Sequence, residues 1–167
     1  MFVRVAVLVV CALVVTGCGE AEQWGSDLEQ TTSEELCAMV SPAMLEDIFG
    51  GDFQDGKPMG IEHVPWCEYA QETDGVPIRI QTKVMRQDST PDPIADYFGD
   101  EYHEPVKELG DRAAFGVNSG ADHELVVVTD FDHRDRLVTV LISNIVEDAT
   151  LGQARPIAED VLAGLDG

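Results

Sequence analysis

Val76-Pro77-Ile78-Arg79-Ile80-Gln81-Thr82-Lys83-Val84-Met85 alternates residue by residue. Ile78, Ile80, Thr82 and Val84 fall on one side of an extended chain, and Arg79, Gln81, Lys83 and Met85 on the other. A period of two is the mark of a half-buried β-strand. Upstream, Ile61 to Tyr69 reads as its partner, at a sheet edge because Pro65 cannot donate to a ladder. Downstream, Arg112 to Val117, Glu124 to Phe131 and Arg136 to Asn144 are three further strands. The polar turn Asp132-His133-Arg134-Asp135 joins the last two as a hairpin.

Helix signals flank these strands. Ser41-Pro42 supplies a capping hydroxyl and a proline at the first helical position, Leu45, Ile48 and Phe49 recur at helical spacing, and Gly50-Gly51 stops the run. Thr90-Pro91 opens a similar piece, with Ile94, Tyr97 and Phe98 on one face and Gly99 as the stop. The segments SPAMLEDIFGGDF and TPDPIADYFGDEY share Pro, Asp, Phe and Gly at matching places. Convergence of two capped helices is a simpler account than internal duplication. A C-terminal helix carries Ile157, Ala158, Val161, Leu162 and Leu165 as its apolar stripe, and Pro156 predicts a start or a kink nearby. The expected order is α-β-β-α-β-β-β-α: class α+β, an antiparallel sheet of about five strands with helices packed on one face.

The N-terminus speaks of location. Met1-Phe2-Val3-Arg4 precedes an apolar run from Val5 to Val15, and Val15-Thr16-Gly17-Cys18 closes it. A basic start, an apolar stretch and small residues before a cut are the parts of a secretory signal. A cysteine directly after the small pair makes a lipobox, in which the Cys18 thiol becomes a diacylglyceryl cysteine, completed by acyl chains such as palmitate. A spanning helix needs roughly 20 apolar residues to cross about 30 Å of hydrocarbon, and this run breaks at Thr16-Gly17. Residues 1–17 are therefore read as a lipoprotein signal peptide, 18–35 as a lipidated acidic tether and 36–167 as one globular domain. The tether lacks any hydrophobic period, Trp24 being its one aromatic. A coil of that length reaches roughly 20–25 Å. The expected location is the extracytoplasmic face of a bacterial cell membrane, held there by the lipid on Cys18.

Cysteine usage agrees with that compartment. Cys11 leaves with the signal and Cys18 is consumed by the lipid, so Cys37 and Cys67 remain for one structural disulfide. Their spacing is far from CxxC, which argues against zinc and redox chemistry. The net charge is −22, and loss of Arg4 with the signal removes one further positive charge. DNA, RNA and anionic headgroups repel such a surface, so no nucleic-acid partner is expected. An acidic excess serves solubility first; a basic protein partner or bound cations are its other uses.

The run Cys37-Ala38-Met39-Val40-Ser41-Pro42, the short helix ending in Gly50-Gly51, Cys67 followed by Tyr69, and Leu109-Gly110-Asp111-Arg112-Ala113-Ala114 together resemble an uncharacterised actinobacterial lipoprotein group. It is the one catalogued as domain of unknown function 3558. The resemblance covers roughly residues 30–165. In that group the aromatic two places after the second cysteine is usually Trp; here it is Tyr69, and Trp66 precedes the cysteine. The resemblance implies a lipidated, disulfide-bearing domain and no reaction.

No catalytic constellation stands out. Gly116-Val117-Asn118-Ser119-Gly120 is one residue out of register for a nucleophile elbow and lies between strands. Asp52-Phe53-Gln54-Asp55-Gly56 lacks the alternate ligands and closing Glu of a calcium loop. His123 and His133 sit at opposite ends of one strand, roughly 20 Å or more apart at ~3.3 Å per residue, and His63 and His103 have no near partner. No metal, cofactor or enzymatic activity is expected. Arg79 and Lys83 share a strand face and are the candidate contacts for a partner or an anion, although pairing with the abundant acids explains them as well. The expected role is a non-enzymatic binding or accessory protein acting on a protein of the cell envelope. The alternative is a carrier holding a small apolar or lipid ligand in a cleft between sheet and helices, which needs a cavity of about 300 Å³ or more.

Overall fold

A computed structural model describes residues 31–61, 64–71, 77–85, 92–99, 101–118, 120–131, 134–143 and 149–166. The signal segment, Cys11, Cys18, Trp24, most of the tether, His63, the Thr90-Pro91 pair, Ser119 and His133 lie outside them. The described elements run α1 (Ser33–Met39), α2 (Pro42–Phe49), β1 (Lys57–Ile61), β2 (Val64–Ala70), β3 (Pro77–Met85), α3 (Pro93–Phe98), β4 (His103–Val106), β5 (Arg112–Val117), β6 (His123–Phe131), β7 (Arg134–Ile142) and α4 (Leu151–Leu165). The strands form one antiparallel sheet ordered β1-β2-β3-β7-β6-β5-β4. None of the described helices is long and apolar enough to cross a membrane.

The α+β class and the antiparallel sheet stand, with three corrections. First, the described sheet has seven strands rather than about five, and β2, expected at an edge, lies between β1 and β3. The two additions are its edges, and both escape a periodicity test. β1 reads Lys-Pro-Met-Gly-Ile with almost every residue exposed, and β4 has four residues including Pro105. Short, proline-bearing edges are also poor templates for pairing with another chain. Second, α1 precedes the first expected helix, so the order is α-α-β-β-β-α-β-β-β-β-α. Its start is a capping box: Glu35 N bonds to Thr32 Oγ1 at 3.2 Å and Thr32 N to Glu35 Oε2 at 2.7 Å. The folded part thus opens inside the stretch read as tether.

Third, helices cover both faces of the sheet. The pairings Leu125↔Val140 and Val127↔Val138 put these side chains on one face. There they join Leu36 and Val40 near α1, Leu45 of α2 and Ile157, Ala158 and Val161 of α4 in the main core, each at most 2% exposed. Burying one such aliphatic side chain contributes about 1.5–3 kcal/mol. The intervening residues point the other way, where Phe98 of α3 packs on Ala114, Val126, Val128 and Leu137. β6 is therefore covered on both sides, which is why Leu125 to Val128 is unbroken apolar sequence. The two capped helices of similar sequence, α2 and α3, end up on opposite faces.

Cys37 of α1 is bonded to Cys67 of β2, with Cα atoms 5.2 Å apart. Beside the bridge, the buried Tyr69 hydroxyl donates to the carbonyls of Cys37 and Val40, each at 3.0 Å, satisfying orphan acceptors at the end of α1. Gly56 crosses over this corner; a Cβ there would lie 2.6 Å from Cys67 Sγ and 2.7 Å from the Tyr69 ring. α4 continues through Pro156 without a new start. Proline removes one intrahelical bond, but Ala154, Ile157, Ala158 and Val161 are fully buried around it. Arg155 also ties this turn to the carbonyls of Lys107 and Glu108 at 3.1 and 2.8 Å.

Candidate functional site

Three strand registers bring a set of polar side chains onto the face that α3 partly covers. Arg79 pairs with Leu141 and Leu141 with Glu124; one step along, Gln81 pairs with Thr139. Neighbouring strands lie about 4.8 Å apart, so Arg79 and Glu124 stand about 10 Å from each other across Leu141. α3 forms a wall above them. Asp92 Oδ1 caps this helix by accepting from Ile94 N and Ala95 N, both at 3.2 Å. Phe98, 3% exposed, anchors it, stacked on the His103 ring at 4.8 Å between centroids. Gly116 makes room for this corner: a Cβ there would meet the Tyr102 carbonyl oxygen at 2.6 Å, and His103 Cβ and a Phe98 ring carbon at 2.9 Å. With Phe98 seated, its neighbour Tyr97 leans over the polar row.

The result is a recess of about 310 Å³ lined by Arg79, Gln81, Tyr97, Asn118, Asp122, Glu124, Thr139 and Leu141. Glu124 is its centre, a carboxylate only 2% exposed. Asn118 Nδ2 donates to Glu124 Oε1 at 2.9 Å. That amide is itself oriented, because Asn118 Oδ1 accepts from Gly120 N at 2.8 Å and Asp122 N at 3.1 Å. The Tyr97 hydroxyl hydrogen-bonds with the Glu124 carboxylate and with Thr139. Among the described residues Glu124 Oε2, itself out of contact with solvent, has no hydrogen-bond partner.

Burial pushes the Glu124 carboxyl above its ordinary 4.5, against the hydrogen bonds from Asn118 and Tyr97, and the charges of Asp122 and Glu101 add to the rise. Burial likewise raises the Tyr97 hydroxyl, helped by Glu124 and opposed by Thr139 and Arg79. A desolvated acid with named neighbours inside a recess is the pattern that marks functional sites. Chemically, the polar side chains of this wall can donate and accept hydrogen bonds to a small polar ligand. Among the described residues, no three Asp, Glu, His or Cys side chains converge as a metal site. His123 stacks on Phe115 at 6.1 Å.

Of the two cationic residues expected to meet a partner, Arg79 lines this recess. Its guanidinium is already engaged: Nη2 and Nε bond to Glu68 Oε1 at 2.8 and 3.2 Å, and it lies 5.4 Å from the centre of the Trp66 ring. Glu68 is its direct cross-strand partner. Lys83 holds the register position opposite Leu137. Glu124, Tyr97 and Asn118 were not expected at a site. One signal was available for Glu124, which takes the alternate positions of β6 together with the apolar Val126 and Val128. Asn118 comes from the same Gly116–Gly120 stretch that fails as a nucleophile elbow. No family model, curated protein or solved structure matches the chain.

Proposed function

We propose that this chain is a lipid-anchored, extracytoplasmic lipoprotein of a bacterial cell membrane, belonging with the actinobacterial group it resembles, and that it works as a non-enzymatic binding or accessory protein of the envelope. The lipobox ending at Cys18 supports the anchor. The observation that supports a binding role is the recess of about 310 Å³ beside α3, lined by the buried Glu124 and other polar side chains. That volume lies at the lower end of small-molecule sites.

The alternative carrier of an apolar or lipid ligand draws less support. The interface between the sheet and α1, α2 and α4 is filled by side chains at or near full burial. The cleft between the sheet and α3 is of suitable size, but seven of its eight lining residues, all but Leu141, carry a polar side-chain group. Native mass spectrometry of the protein taken from its own membrane separates the two. A small polar adduct, present in wild type and missing from Glu124→Gln, is the expected result. A lipid adduct retained equally by both proteins would favour the carrier and remove the recess from the account.

A further inference from the structure

We infer that α3 is a releasable cover: it lifts off β5, β6 and β7 as a unit while the rest of the fold stays intact, and its release admits water to Glu124. The inference concerns the cover and does not rest on the recess having a ligand.

The packing singles α3 out. Its apolar contacts form a cluster of their own, Phe98 with Ala114, Val126, Val128 and Leu137 and with Ile94 at the margin, on the face opposite the main core. α1, α2 and α4 all share that main core, and the bridge from Cys37 to Cys67 fastens α1 to the sheet as well. Of the six residues of α3, only Pro93 and Phe98 are buried. An element with few buried side chains opens at a lower free energy than the core elements do.

Three ties hold the cover shut. Phe98 fills the corner beside Gly116 and stacks on His103 at 4.8 Å between ring centroids. Tyr97 is 39% exposed as a residue, but its hydroxyl turns inward and bonds with the Glu124 carboxylate and with Thr139. Arg112 reaches Asp92 at 3.7 Å with both side chains exposed, so that pair adds little. Release therefore needs one ring unseated and one polar contact broken. Val126, from the floor under Phe98, pairs with Thr139 of the recess. Lifting α3 joins slot and recess into one groove.

Opening is linked to protons through Glu124. The groups facing its carboxyl are Tyr97 from α3, Asn118 and Asp122 from the β5–β6 connection, Thr139 from β7, Arg79 and Gln81 from β3, and Glu101 before β4. Glu101 is tied to the cover, since its N–H donates to the Phe98 carbonyl at 3.0 Å. Burial first, then the charges of Asp122 and Glu101, hold the covered carboxyl above its ordinary 4.5, against the hydrogen bonds from Asn118 and Tyr97. Water in the open state returns it toward that ordinary value. The closed state thus keeps its proton to higher pH, and opening releases it. The open fraction is lowest below 4.5, rises as pH climbs to the covered value and levels off above it.

The test is native-state amide hydrogen exchange of the purified full chain with its bridge intact, read as protection factors. Asp96 and Gly99 report on the cover, because their N–H groups donate to the carbonyls of Asp92 and Ala95 at 3.0 and 2.8 Å. Val126 and Val127 report on the sheet. The two cover amides should share one opening constant and be about a hundredfold or more less protected than those of β6. Their protection should fall with rising pH, about tenfold for each unit separating the covered from the open carboxyl. Glu124→Gln should flatten that dependence. Phe98→Ala should release the cover at every pH. Tyr97→Phe, a milder change that decides the matter if Phe98→Ala does not fold, should cut the protection of α3 about tenfold at neutral pH and leave β6 unmoved. Protection of α3 equal to that of β6, unequal opening at Asp96 and Gly99, or α3 protection unchanged in Tyr97→Phe would overturn the cover. A pH-independent wild type, or a pH dependence kept by folded Glu124→Gln, would overturn its link to Glu124.

Discussion

Glu124 concentrates a conflict between stability and binding. Its carboxyl is raised by burial, so the native state holds the proton to higher pH than the unfolded chain does. The stabilisation linked to that proton is complete below the ordinary 4.5 and is lost as pH climbs through the raised native value. Glu124→Gln removes the titration and keeps the shape. Its melting temperature should therefore exceed that of wild type by a margin that grows as pH rises above the ordinary 4.5 and levels off once the native carboxyl has ionised. A constant difference across that range, measured by calorimetry, would contradict this origin. Tyr69 presents a different case, a buried hydroxyl whose one proton is shared between two carbonyls. Burial pushes it up to about 12, so it stays neutral through the physiological range. Tyr69→Phe strands the carbonyls of Cys37 and Val40 and should destabilise by about 1–3 kcal/mol in urea denaturation.

At the scale of elements, the bridge and α3 make different contributions. Cys37–Cys67 closes a separation of 30 residues, and constraining the unfolded chain over such a loop is worth about 3–4 kcal/mol. Reduction, or Cys37→Ser with Cys67→Ser, should lower the unfolding free energy by about that amount and loosen α1, read as faster amide exchange over residues 33–39. Thiol titration of the oxidised mature protein in denaturant should find no free sulfhydryl. α3 is anchored through Phe98 in the slot left by Gly116. Gly116→Val would press a side chain into the Phe98 ring, displace Tyr97 and open the recess. Overpacking of this kind typically costs about 1–3 kcal/mol. The variant should lose any Glu124-dependent ligand in titration while the main core on the far side of the sheet keeps its far-UV signature.

For the whole molecule, the anchor is the decisive prediction. Cys18→Ser should leave the precursor uncut and without lipid; fatty-acid labelling in cells reads this directly, and label retained by the variant would refute the lipobox. Under that proposal, a tether reaching roughly 20–25 Å would keep the recess near the membrane surface. The acidic surface then acts at long range, repelling anions and enriching cations.

The amino-acid sequence alone determined whatever rests on local period and composition. The alternation from Ile78 to Met85, the apolar run of β6, the cap at Ser41 and the two cysteines left for a bridge are signals read within a few residues of each other, or by elimination. Five strands, the helices α2, α3 and α4 and the disulfide were legible on that basis. The start of α1 was present in the sequence as Thr32 to Glu35, hidden in a run of polar residues. Edge strands β1 and β4 owe their form to a neighbour that pairs with them, as their own sequences carry no period. The face that α3 covers, and the meeting of Glu124, Tyr97, Asn118 and Arg79, were decided only by tertiary structure. Those groups come from β6, α3, the β5–β6 connection and β3, and the pairing Arg79↔Leu141↔Glu124 depends on how three strands slide into register. No residue encodes that register alone. It emerges when burial of both faces of β6 is satisfied at once.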